Sequence, residues 1–132
     1  MPDYLFAYGT LQSGLAPPEV EHLVARMRPL GPATVPGALY DFGSYPGAVI
    51  DPHSPRRIVG AVFAVPADPE FWRELDAYEE CDPAAPDTSQ FLRVRHSVER
   101  VQGPTLDCWI YVYNRSVDGA RIVDSDVPWT KP

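Results

Sequence analysis

Tyr4-Leu5-Phe6-Ala7-Tyr8-Gly9-Thr10-Leu11 is the stretch on which the fold turns. A run of aromatic and aliphatic residues stopped by a glycine reads as a buried first strand entering a sharp turn. Gly9 has no side chain, so the backbone there can bend tightly and come close to a ligand. Successive amide N–H groups in such a turn can converge on an anion, which would suit a carboxylate. A plain structural turn accounts for the same residues, and the stretch alone does not choose.

Outward from that strand, residues 19–27 follow Pro17-Pro18 and place Val20, Leu23, Val24 and Met27 at helical spacing. They predict a short helix with one apolar face on the core. Residues 33–40 and 48–50 read as short strands on either side of the turn Gly43-Ser44-Tyr45-Pro46-Gly47. Residues 58–65 are almost wholly apolar and read as a central strand. A second helix opens at Asp68-Pro69, with Asp68 as N-cap, and carries Phe71, Trp72, Leu75 and Tyr78 before ending near Glu79-Glu80-Cys81. Residues 82–89 form a loop; residues 91–98 and 106–113 alternate as strands. The tail over residues 124–132 is irregular, with Trp129 as its anchor. Strands before, between and after two short helices, without regular alternation, predict an α+β fold. With roughly six strands, closure into a barrel is one way to remove exposed edges, and the pattern leaves barrel and sandwich both open.

Composition narrows the functions. The 132 residues are 45% apolar, enough for one continuous core, and we expect a single domain over residues 1–132. A net charge of −7 argues against binding a phosphate backbone, so no nucleic-acid partner is expected. The apolar runs are short and no signal peptide is visible, which predicts a cytoplasmic protein without a membrane partner. Cys81 and Cys108 are too few for a metal cage, and His22, His53 and His96 lack ligand spacing; no metal is expected. Cys108 lies in an apolar strand as a core residue, whereas Cys81 follows two glutamates whose charge should raise its thiol pKa. The 16 prolines, Pro17-Pro18 apart, are scattered singly between apolar segments, so they punctuate turns and do not form a disordered tract.

Glu79 is the candidate for chemistry. It falls four residues after Leu75 and seven after Trp72, on the helix face turned toward the core. Aromatic neighbours, the negative end of the helix dipole and the adjacent Glu80 should each raise its pKa. A carboxyl so raised can accept and return a proton near neutral pH. Most glutamates at helix ends are merely solvated, and Asp76 reads as a surface or capping group.

Taken in order, Tyr8-Gly9-Thr10-Leu11, Gly43-Ser44-Tyr45-Pro46-Gly47, Val59-Gly60-Ala61-Val62-Phe63, Leu75-Asp76-Ala77-Tyr78-Glu79 and Phe91-Leu92-Arg93-Val94 resemble the γ-glutamylcyclotransferase-like (AIG2-like) family. The resemblance implies a small mixed β-barrel with short flanking helices. It implies an enzyme without cofactor that cyclises a γ-glutamyl amine or peptide to 5-oxoproline and releases the amine. It assigns substrate binding to Tyr8, Gly9, Thr10 and Leu11 and catalysis to Glu79. Gln12, Glu80 and Phe91 depart from the residues usual in the family, and Glu80 in place of glycine bears on how the helix ends. The alternative is a binding module for a small carboxylate-bearing ligand on the same fold, without turnover. An interaction protein using Tyr111 and Tyr113 as exposed aromatics is a third reading.

Overall fold

The structure, a computed structural model, describes residues 2–9, 11, 17–125, 127 and 129. Strand β1 (Asp3–Ala7) is where the core divides. Side chains alternate across a strand, so Leu5 and Ala7 join a cluster with Leu23, Phe71 and Leu75 beneath the helices. Phe6 and Tyr8 join another with Val35, Val62, Val98 and Ile110.

β1 pairs antiparallel with β4 (Arg57–Val65) and parallel with β6 (Leu106–Tyr113), where Leu5 faces Trp109. β6 pairs antiparallel with β5 (Phe91–Arg100), and β4 with the long β2 (Arg28–Asp41). Two further pairs, Ala33 with Arg100 and Thr34 with Glu99, join β2 to β5 and close a five-stranded barrel. The far half of β2 carries β3 (Pro46–Ile50) and the short β7 (Arg121–Ile122). The fold is the α+β mixed barrel with short flanking helices that the resemblance implied.

Several boundaries differ from the sequence reading. β2 begins five residues earlier than expected, at Arg28, because its prolines read as breakers. Pro32 and Pro36 still serve the sheet as acceptors: Val101 N–H donates to the Pro32 carbonyl and Asp51 N–H to that of Pro36. The expected helix over residues 19–27 is shorter, a 3-10 turn Pro18–Val20 followed by α1 (Glu21–Val24). Arg26 and Met27 bond back three residues, to Leu23 and Val24, which tightens the end before β2 starts. α2 (Pro69–Tyr78) opens as read, its Asp68 carboxylate accepting the Glu70 N–H at 3.0 Å. Trp129 is buried and donates its indole N–H to Asp41.

Among the described residues no helix is long and apolar enough to cross a membrane, and no cluster of three potential metal ligands occurs. Cys108 is a buried core residue. Cys81 is buried too, and burial is what chiefly raises its thiol pKa, with a backbone hydrogen bond to Arg93 opposing and Asp76 reinforcing. The adjacent glutamates are not the cause.

Candidate active site

Where β1 ends, the chain turns over the start of β3. Gly9 packs so close to Pro46 that an added Cβ would lie 2.8 Å from the ring's Cγ. Close approach, and not an unusual backbone angle, is therefore what requires glycine here. Leu11 is buried behind the turn. Thr10 lies outside the described residues, as does Gln12.

Tyr8, Gly9, Leu11 and Pro46 line a narrow recess of about 30 Å³ together with Phe6, Ala7, Tyr111 and Glu79. Of the candidates read from the sequence, Tyr8, Gly9, Leu11 and Glu79 thus meet at one hollow. Tyr8 is held by two strands: its hydroxyl donates to the Tyr111 carbonyl on β6 and accepts the Ala48 N–H of β3. Burial first, then the nearby Glu79 charge, pushes its phenol far up, so it is a neutral framework group.

Glu79 is the C-cap of α2, only partly buried as a residue, and lines the recess. Its pKa is pushed up to about 8, mainly by loss of solvent and then by the charge of Asp76. The expected direction holds, but the like charge comes from Asp76, one helical turn earlier. Glu80 is exposed and plays no such part.

Glu80 instead ends the helix. It adopts φ +52°, the left-handed conformation usually left to glycine. Its N–H donates to Ala77 and the next N–H, of Cys81, reaches back to Asp76 at 2.9 Å. Those two bonds satisfy helix-end carbonyls in the pattern of a glycine-capped terminus, so the departure at Glu80 leaves Glu79 in place.

Asp76 is not the surface or capping group that its sequence context suggests; it is buried. Its carboxylate accepts Arg93 Nε at 2.9 Å, Arg93 Nη2 at 3.3 Å and the Tyr111 hydroxyl at 2.6 Å. Arg93 in turn lies 4.3 Å from the ring centroid of Trp72 and 4.5 Å from that of Trp109. Tyr111 is buried and braces the recess, which removes it from any exposed interaction face. One signal is present in the sequence: Trp72, Asp76 and Glu79 share a helix face, so an acid between an aromatic and the candidate catalyst calls for a buried cation. That Arg93 supplies it depends on strand register, which the sequence does not carry.

The family profile described as "Gamma-glutamyl cyclotransferase, AIG2-like" matches residues 5–131. No curated protein matches the sequence significantly. Among solved structures, protein ytfP from Escherichia coli is 28% identical, with 92% of each chain covered and a TM-score of 0.62. An AIG2-like protein from Mus musculus is 19% identical at a TM-score of 0.72, covering 94% of this chain and 87% of that one, a likeness of fold. YkqA from Bacillus subtilis is 24% identical over 86% of this chain, with a TM-score of 0.65, and the chain spans 36% of its length. Because the profile runs from the first strand into the tail, over a barrel these structures share, the chain belongs to the γ-glutamyl cyclotransferase, AIG2-like family.

Proposed function

We propose that the recess carries out γ-glutamyl cyclotransfer, with Glu79 as the proton carrier and the turn at Tyr8, Gly9, Thr10 and Leu11 as the glutamyl-binding element. The observation that supports this most is that Glu79, whose carboxyl is raised to about 8, lines the same recess as Tyr8, Gly9 and Leu11. In the reaction the substrate's α-amine nitrogen bonds to its own γ-carbonyl carbon and the bond from that carbon to the leaving nitrogen breaks. Glu79 takes a proton from the attacking amine and gives it to the leaving nitrogen, so protons balance over the turnover. No cofactor enters this scheme.

Intramolecular attack makes positioning the main source of acceleration. With both tyrosine hydroxyls bonded to protein groups, the substrate carboxylate falls to the turn's amides in this reading. A carboxyl near 8 and a substrate amine of similar basicity share one proton in the productive complex, whichever group holds it at a given instant. At about 30 Å³ the recess has room for on the order of two waters.

Incubation with γ-glutamyl amines and dipeptides, followed by assay of 5-oxoproline, tests the reading. Glu79→Gln should lower kcat by about 10²–10⁴-fold, the usual contribution of a positioned acid–base group. Equal turnover by that variant rejects the mechanism. A ligand-induced thermal shift without product across the panel favours the carboxylate-binding module instead.

A further inference from the structure

Glu79 lines two hollows, not one. It also lines a second recess of about 150 Å³, with Tyr45, Tyr78, Glu80, Gln90 and Phe91. The chain crosses between them in a single step, for Tyr45 lines this recess and its neighbour Pro46 lines the first. The reaction proposed above, on which this inference rests, requires the leaving nitrogen to be within hydrogen-bond reach of Glu79. With the glutamyl part in the first recess, whatever hangs from that nitrogen must go to other space beside the same carboxyl.

We propose that the second recess is the leaving-group site, and that it selects an amine whose far end is cationic. Three of its walls are aromatic, with Phe91 and Tyr45 edge-on at 6.2 Å between centroids. Rings of this kind take an alkyl chain along their faces and attract a cation. Its two carboxylic acids are Glu79, which holds its proton up to about pH 8, and Glu80, which is exposed and supplies the negative charge. Among the described residues no lysine or arginine lines it. A leaving group with its own carboxylate would therefore meet the like charge of Glu80. The left-handed turn at Glu80 that ends α2 is what sets this acid immediately beyond Glu79.

Three γ-glutamyl amides with leaving groups of matched length test this: 1,4-diaminobutane (ammonium end), pentylamine (methyl end) and 4-aminobutyrate (carboxylate end). The ratio of kcat/KM between the ammonium and carboxylate substrates should be about tenfold or more at low salt, and should shrink as salt is added. Glu80→Lys should reverse the order of the two charged substrates, and Glu80→Gln should bring all three together. Both variants keep a long side chain at the same turn, and an unchanged melting temperature marks them as folded. Equal rates for the three amides, preference for the carboxylate, or an order unmoved by Glu80→Lys overturns this inference alone. No 5-oxoproline from any of them overturns the cyclotransfer reading, and the leaving-group site with it.

Discussion

At the scale of single residues, Glu79 and Glu80 divide the work of one helix end. Glu79's carboxyl sits near 8 against an ordinary 4.5, so the folded protein binds its proton more tightly than the unfolded chain does. Stability therefore falls as pH climbs from about 4.5 toward 8. Glu79→Gln removes that slope. In denaturant titrations the variant should match the parent near pH 5 and exceed it by roughly 2–4 kcal/mol near pH 8, since each tenfold gain in proton affinity on folding is worth about 1.36 kcal/mol. The kcat/KM profile of the parent should carry an apparent pKa of about 8 from Glu79 beside that of the substrate amine, and the Gln variant should keep only the substrate's. Glu80 holds a conformation unfavourable to any side chain. Glu80→Gly should accordingly raise the unfolding free energy by about 1 kcal/mol, read from the denaturant midpoint.

Between elements, the contact that matters most to the site is α2 against β5 and β6, made by Asp76, Arg93 and Tyr111. The Arg93 and Asp76 side chains are 19% and 8% exposed, so this ion pair is withdrawn from water as the surface pairs are not. Removing one partner from such a pair leaves a buried charge uncompensated. Arg93→Ala should destabilise by about 3–5 kcal/mol, and the exposed pair of Arg73 with Glu70 by less than about 1 when Arg73 is replaced. Comparing the two melts distinguishes a structural clamp from general loss of positive charge. Asp76→Asn keeps an acceptor for Tyr111 and removes the charge that helps raise Glu79. It should lower the apparent pKa of the kcat/KM profile.

Across the whole molecule, β1 ties the two core clusters together, since neighbouring residues of one strand point into each. Phe6 and Leu75 are both almost fully buried, on opposite sides of it. Phe6→Ala and Leu75→Ala should each cost about 2–5 kcal/mol and still give one transition, coincident by near- and far-ultraviolet circular dichroism. Two separated transitions would show that barrel and helix layer unfold independently.

What could be read without coordinates followed from local rules. The first strand and its glycine stop, the Asp68 cap, the alternation in β5 and β6 and the inward placing of Glu79 all depend on residues a few positions apart. The ordered motifs pointed to the barrel family. Periodicity by itself leaves barrel and sandwich open, because closure rests on Glu99 and Arg100, polar residues beyond the last apolar position of β5. The length of β2 is hidden for a related reason: its prolines look like breaks unless the acceptors they offer are seen in use. Asp76 with Arg93, Tyr8 with Tyr111 and Ala48, and the sharing of Glu79 by two recesses all join segments distant in the chain. Spacing along a sequence determines which face a side chain occupies; only the packing of one element on another determines what it meets there.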